Sequence, residues 1–334
     1  MATSREIVLK HAIEEMPAAD DFELVDRVRP DVATAGQLLV RVLYLSLDPY
    51  LGGRLRGRHM GEPRPAPGER LPGASVGEVI ASGHPDFQVG DHVVGEAGWA
   101  EYGLIDASQA RKVDPNLGVA NHLGVLGMPG LTAWAGVTQL AKVGPGDVFT
   151  VDAAAGAVGG TAGQIGRILG AKAVGIAGGA DKVALVKQRY GFDDAVDYRA
   201  EGWIETFKAA TDGGPTVHFE NVGLPILQPV FNTLRLYGRV VLCGLSAHYH
   251  DDGPPPQIAL GPIVGKRAQM LGLVVYDFYP RWPEWVATAT PWLAEGRLLQ
   301  VADVAPNLAA APVQFERLMK GANEGKTLVR IAEA

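Results

Sequence analysis

The sequence predicts an α/β protein, a β-rich part joined to a doubly wound parallel sheet, and three observations carry that prediction. Residues 1 to about 125 hold short apolar runs broken by Gly, Pro and Asp at close intervals, as in a small antiparallel barrel or sandwich. From about Gly124 the period changes, and short apolar runs alternate with helical stretches, the signature of a parallel sheet covered on both faces. Between the first of these runs and the first of these helices lies Val151-Asp-Ala-Ala-Ala-Gly-Ala-Val-Gly-Gly160, a turn of small residues.

In the β-rich part, 37–47 alternates and then becomes continuously apolar, as a strand entering a core does. Further strands are expected at 77–81, 92–94 and 100–105. Between them, 54–68 is basic and rich in Pro and Gly, and reads as a mobile, solvated loop. A helix is expected over 126–140. Strands at 147–151, 172–177, 194–198, 216–220 and 239–243 then alternate with helices at 159–170, 181–190, 202–211 and 225–236. Right-handed connections make such a sheet doubly wound. A sixth apolar run, 269–276, follows a Pro-rich loop (Pro254-Pro-Pro256) and reads as a sheet-edge strand, whose unpaired backbone invites a partner. The tail supplies a helix at 282–295, a strand at 299–304, a helix at 310–321 and a strand at 327–331.

Composition narrows the function. The 334 residues suffice for two domains, with 47% hydrophobic and 20% charged residues, a soluble globular balance. A net charge of −7 without any basic block argues against nucleic acid or an anionic membrane as partner. No apolar run approaches the ~18 residues of a membrane span, and the polar N-terminus lacks a signal-peptide core, so a cytoplasmic location is expected. The single cysteine, Cys243, excludes internal disulfides and a zinc site built from several thiolates. His248 and His250, near Asp251 and Asp252, read as solvated loop residues; no metal site is expected.

The run after 147–151 is the arrangement by which a dinucleotide fold presents backbone N–H groups and a helix N-terminus to a pyrophosphate. Ala154 stands where the strict fingerprint has its first glycine, so a tight turn in any α/β protein is the competing reading. About twenty residues on, the position that would carry an acid for the ribose 2′-OH is Gly178 or Gly179. Lys182 in the next helix can pair with a 2′-phosphate, and Tyr198 can add a hydrogen bond or a stacking face. Asp181 is read as that helix's cap. NADP(H) is therefore expected in preference to NAD.

These residues carry a resemblance. Tyr44-Leu-Ser-Leu-Asp-Pro-Tyr50, Ala153-Ala-Ala-Gly-Ala-Val-Gly159, Glu220-Asn-Val-Gly223, Cys243-Gly-Leu-Ser-Ala-His-Tyr249 and Gly321-Ala-Asn-Glu-Gly-Lys-Thr327 follow one another in order. Together they resemble the zinc-independent medium-chain dehydrogenase/reductase superfamily, in its prostaglandin reductase/leukotriene B4 dehydrogenase, alkenal double-bond reductase and curcumin reductase branch. The resemblance implies a GroES-like catalytic domain over 1–124 plus 297–334 and an NADP-binding Rossmann domain over 125–296. It implies that Gly156, Ala157, Val158 and Gly159 hold the pyrophosphate, and that Gly179, Lys182 and Tyr198 meet the adenosine phosphate. Asn221 would contact the cofactor, Cys243, Gly244, Leu245, Ser246 and Tyr249 would flank the nicotinamide, and Leu273, Val274 and Val275 would offer backbone to the carboxamide. Asn323 would close over the cofactor, while Tyr44 and Tyr50 would line the substrate pocket. Where zinc-dependent relatives carry ligands, this chain reads Pro72-Gly-Ala-Ser-Val-Gly77.

The implied activity is NADPH-dependent reduction of the C=C bond of α,β-unsaturated aldehydes and ketones, without zinc, in a homodimer paired through the sixth strand. Tyr249 is the expected donor to the developing enolate, since a phenol with pKa near ~10 is protonated at neutral pH. The competing reading leaves its ring packed on the cofactor ribose, with water or a ribose hydroxyl as proton source. A quinone oxidoreductase of the same superfamily and a non-enzymatic NADPH-binding protein remain open alternatives. Departures from the family pattern at Glu220, Gly223-Leu224, Ser246 and His250 lie near the substrate end, as does Leu51-Gly-Gly-Arg-Leu55.

Overall fold

The computed structural model describes residues 2–249 and 256–333; His250, Asp251, Asp252 and the first two prolines of the Pro-rich loop lie outside them. The chain forms two compact units, Met1–Leu123 with Ala302–Ala334, and Gly124–Val301.

In the first unit, β1 (Thr3–Leu9) and β2 (Phe22–Val28) form an antiparallel pair with Leu9 opposite Phe22. The hub is β3 (Gln37–Ser46), which pairs with β4 (Ser75–Ser82) and β6 (Tyr102–Asp106). β5 (His92–Gly95) and β7 (Arg111–Lys112) continue from β4. A short helix, α1 (Tyr50–Arg54), follows β3. Side chains from both ends of the chain build one core: Phe22 stacks on Trp99 at 5.4 Å, and Phe315 meets Trp99 edge-on at 5.3 Å. Such aromatic contacts add to the area they bury.

The second unit begins with α2 (Met128–Trp134), continued by a π-helical turn to Leu140. The helix starts later than its apolar pattern because Gly127 is extended and Pro129 occupies the first turn, where a missing N–H costs nothing. There follow β8 (Val148–Val151), α3 (Ala157–Ile168), β9 (Lys172–Ala177), α4 (Ala180–Gln188), β10 (Asp194–Asp197) and α5 (Trp203–Ala210). Then come β11 (Val217–Glu220), α6 (Leu224–Thr233), β12 (Arg239–Leu242), α7 (Leu260–Lys266), β13 (Gln269–Gly272) and α8 (Trp282–Ala294). All six strands are parallel, in the order β10-β9-β8-β11-β12-β13, the strand order of a Rossmann sheet. The direction of winding reverses between β8 and β11, and a crevice at such a reversal is where ligands bind. Glycine lets α3 approach the sheet: a Cβ on Gly166 would sit 2.9 Å from the Phe149 ring of β8.

The sixth strand is shorter than its apolar run. It ends at Gly272, and a helical turn takes over at Val275–Arg281. The second compact unit ends at Val301. Gln164 explains this, exchanging hydrogen bonds with the Leu299 backbone at 2.9 and 3.1 Å and so keeping that residue in the second unit. Then β14 (Ala302–Ala305), α9 (Ala311–Met319) and β15 (Lys326–Arg330) complete the first unit, β15 pairing with both β14 and β3.

Candidate active site

The turn after β8 is open to an anion. Gly156 caps α3 with no side chain on the helix N-terminus, so the N–H groups of Ala157, Val158 and Gly159 have no intrahelical acceptor. The turn tolerates no bulk at Gly159, where a Cβ would lie 2.5 Å from the Ala153 carbonyl oxygen. Ala153 itself carries φ of +44°, a left-handed conformation uncommon for a residue with a Cβ. The fingerprint's first glycine is dispensable because Ala154 is instead buried with its N–H bonded to Ile176 O at 3.1 Å.

Beyond β9, Gly179 has φ of +97° and open space around it. A Cβ on the preceding Gly178 would meet Arg199 Nε at 2.8 Å and the Tyr198 ring at 2.9 Å. The Arg199 guanidinium lies over that ring, 5.7 Å from its centroid. Lys182 stands in the first turn of α4. The nearest strand-end carboxylate, Asp197, is already committed, accepting from Gly179 N and Arg199 N at 2.9 Å each, which holds its pKa below the usual range. Asp181 is not the cap expected of it: Gly179 is the N-cap, and Asp181 lies exposed in the first turn. Arg199 escaped the sequence reading, though a cation following Tyr198 was its available signal.

The ends of β11 and β12 are laced together. Asn221 donates from its backbone N to Asp152 Oδ1 at 2.6 Å, and from Nδ2 to Asp152 O and Oδ1 at 3.2 Å each. Val222 N and Gly223 N donate to Glu220 Oε1 at 2.7 and 2.6 Å. From the other side, Ser246 N and Ala247 N donate to the carbonyls of Asn221 and Val222, and Leu224 N donates to His248 Nε2 at 3.2 Å. Cys243 N donates to Glu220 O at 2.9 Å, and burial pushes its thiol up to about 12. The Tyr249 hydroxyl lies over Gly244, 3.3 Å from where a Cβ would stand. Burial raises the Tyr249 pKa, opposed by a hydrogen bond from the Leu245 backbone, so the phenol keeps its proton at neutral pH. Leu273 N donates to Leu242 O at 3.0 Å, leaving Val274 and Val275 past the strand end. Thus the residues from Gly156 to Val275 gather at the carboxyl ends of one sheet.

Asp152, His218 and Glu220 form a cluster that the sequence reading missed. Each is fully buried, and one ligand-type atom of each lies within 4.8 Å of the others. Its signal was latent in strand periodicity, since His218 and Glu220 share a face of β11 and His218 stands opposite Thr150 on β8.

The remaining candidates lie in the first unit. Tyr44 is on β3 opposite Val76, and Tyr50 opens α1. Lys326 Nζ, buried, donates to Asp48 Oδ1 at 2.6 Å and to Leu47 O at 3.0 Å, pinning the turn before Tyr50 to the strand after Asn323. Asn323 Nδ2 donates to Gly325 O at 2.9 Å. The 54–68 segment is not a solvated loop throughout: Arg54 pairs with Glu62 and Glu96, Arg56 is 6% exposed, and the His59 and Tyr50 rings lie 5.0 Å apart. Glu62, inside the run, and Glu96, outside it, neutralise the Arg54 charge that suggested solvation.

Residues 5–113 match a family described as the N-terminal domain of oxidoreductase, and 157–294 one described as zinc-binding dehydrogenase. The chain is 34% identical to the 2-alkenal reductase (NADP(+)-dependent) of Nicotiana tabacum, over 99% of this chain and 98% of that protein. It is also 34% identical to the NADPH-dependent curcumin reductase of Escherichia coli (strain K12), over 98% and 97%. The crystal structure of CurA in complex with NADPH from Vibrio vulnificus superimposes with a TM-score of 0.91 at 34% identity, covering 99% of this chain and 100% of that one. With such relatives along nearly its whole length, the chain belongs to the medium-chain dehydrogenase/reductase superfamily, in the branch of the prostaglandin, alkenal and curcumin reductases.

Proposed function

We propose that this chain is an NADPH-dependent reductase of the C=C bond of α,β-unsaturated aldehydes and ketones, the chemistry named for its alkenal and curcumin reductase relatives. One observation carries the cofactor reading: Tyr198 and Arg199 border Gly178 and Lys182 stands in the first turn of α4, while Asp197 Oδ1 is already taken by two backbone N–H groups. The uncapped N-terminus of α3 and the open Gly179 fit the rest of a dinucleotide.

When bound, NADPH would supply a hydride to the β-carbon of the substrate, giving an enolate that takes up a proton at the α-carbon. Gly156, Ala157, Val158 and Gly159 hold the pyrophosphate by their backbone. Lys182 and Arg199 give charge-assisted hydrogen bonds to the 2′-phosphate, and Tyr198 adds its ring or hydroxyl. Asn221, the loop Cys243–Tyr249, the backbone of Leu273, Val274 and Val275, and Asn323 complete the cofactor contacts. Tyr44 and Tyr50 line the substrate pocket. Tyr249 donates to the carbonyl oxygen, where negative charge develops. The hydrogen bond from Leu245 supports that role, because a hydroxyl that already accepts has its proton to give. The two units then serve as the catalytic and the NADP-binding domain.

Zinc is not needed in this reading, which rests on the ligand-free Pro72–Gly77 stretch and the single cysteine. A homodimer formed through β13 is supported by its place at the end of the sheet and by the exposure of Leu260 (71%) and Val264 (74%) on α7. A mass near twice the chain's 35.3 kDa in light scattering is expected, and a monomer at micromolar concentration would contradict it. No helix among the described residues is long and apolar enough to cross a membrane. A cytoplasmic location fits a cofactor reduced in that compartment. The overall reading is tested by turnover with an enone, an enal and a quinone, each with NADPH and with NADH.

A further inference from the structure

Asp152 and Glu220 place two carboxyl groups, both 0% exposed, beneath the turn that carries Asn221. Between them they accept from the backbone N–H groups of Asn221, Val222 and Gly223 and from the Asn221 side chain. The second Glu220 oxygen lies 3.1 Å from His218 Nε2, and His218 Nδ1 lies 3.0 Å from Thr150 Oγ1. Two ionised carboxylates cannot share a dry site at this spacing, because each loses its hydration and repels the other. A buried imidazolium could cancel one charge, but burial lowers the His218 pKa and keeps the ring neutral.

We infer that Asp152 and Glu220 share one proton and act as a positioning pair, holding the Asn221–Gly223 turn in the conformation that receives the cofactor. The inference rests on the NADPH reading above. Burial holds both carboxyls above the ordinary range, and the Glu220 charge adds to it at Asp152. The other titratable groups facing the pair are His218 from β11 and Cys243 from the end of β12, with Cys243 in turn acting on Tyr249; all are neutral at pH 7. Backbone donors occupy both Asp152 oxygens and one Glu220 oxygen, and His218 Nε2 engages the other.

The pair fixes the Asn221 amide as well as the backbone. Its Nδ2 is committed to Asp152, so its carbonyl oxygen is the acceptor left for a cofactor hydroxyl. Removing the shared proton would confine two negative charges under a turn that must receive a polyanion. NADPH affinity therefore falls as pH rises, and by linkage a one-proton requirement costs about tenfold per pH unit above the pair's pKa.

The test is the NADPH dissociation constant from pH 6 to 10 for the full-length wild type, Glu220→Gln and Asp152→Asn. Each amide supplies an N–H in place of the shared proton; Glu220→Gln keeps an oxygen for Val222 N and Gly223 N, and Asp152→Asn keeps one for Asn221 N while Val222 N retains Glu220. Both variants should bind NADPH within about threefold of wild type at pH 7, the scale of one neutral hydrogen bond changed. Both should lose the alkaline decline that wild type shows. A merely structural role would move the melting temperature without removing the pH dependence. A flat wild-type profile, or the same decline in both variants, overturns the inference while leaving the cofactor reading intact. Failure of wild type to bind NADPH at pH 7 overturns the cofactor reading, and the inference with it.

Discussion

The two units hold their candidate residues by different means. In Gly124–Val301 each site residue follows the end of a parallel strand, so the hydrogen-bonded sheet itself delivers Gly156, Tyr198, Asn221, Cys243 and Leu273 to one rim. In the β-rich unit, Tyr50 and Asn323 sit outside the strands, far apart in sequence; β15 pairs with β3, and just past that pairing the Leu47 N–Thr327 O bond and the buried Lys326–Asp48 ion pair tie their segments together. The contrast teaches that sheet topology alone sets the strand ends of Gly124–Val301, the proposed cofactor side, whereas the segments of Tyr50 and Asn323 add a buried ion pair beyond the last strand pairing.

The largest expected effect is therefore in the β-rich unit. Lys326→Ala leaves Asp48 buried and unpaired, and stability measured by denaturant unfolding should fall by about 3–5 kcal/mol, the usual result of removing one partner of a buried pair. A loss below about 1 kcal/mol, the worth of an exposed pair, would erase the contrast.

Next in size is Tyr249→Phe, which removes one hydroxyl and keeps the ring. If Tyr249 donates to the oxyanion, kcat should drop by about 10²–10³ with little change in NADPH affinity. A drop below about threefold would move the proton to water or a ribose hydroxyl. A loss confined to NADPH affinity would place the hydroxyl on the cofactor.

Smaller effects sharpen the cofactor side. Lys182→Ala and Arg199→Ala should each weaken NADPH by about 1.5–3 kcal/mol, the range for a hydrogen bond to a charged group, and leave NADH nearly unchanged. Titration calorimetry with both cofactors decides: equal losses for NADH would make these side chains structural.

Legibility in the sequence followed the same division. The strand, small-residue turn and helix around Gly156 could be read directly, because backbone geometry dictates residue size there. The β1–β2 pair could not: Ser4 and Glu6 are polar yet buried, Glu6 being paired with Arg70 at 2.5 Å, and a buried polar residue breaks the pattern that reveals a strand. Arg199 was missed because its approach to Gly178 depends on β9 and β10 ending side by side. The Asp152–Glu220 pair was missed for a like reason, since it needs β8 beside β11, two strands separated in the chain by β9 and β10. Basic residues at 54–68 suggested a solvated loop until Glu62 and Glu96 supplied Arg54 with its partners.

The central claim is conjugate reduction driven by NADPH. Its most direct measurement is product analysis after turnover of one α,β-unsaturated ketone with NADPH and, separately, with NADH. The account predicts the saturated ketone as product, formed with a kcat/KM for NADPH at least about tenfold above that for NADH, the equivalent of 1.4 kcal/mol from the 2′-phosphate contacts. An allylic alcohol as product, equal use of NADH, or turnover of quinones alone would contradict it.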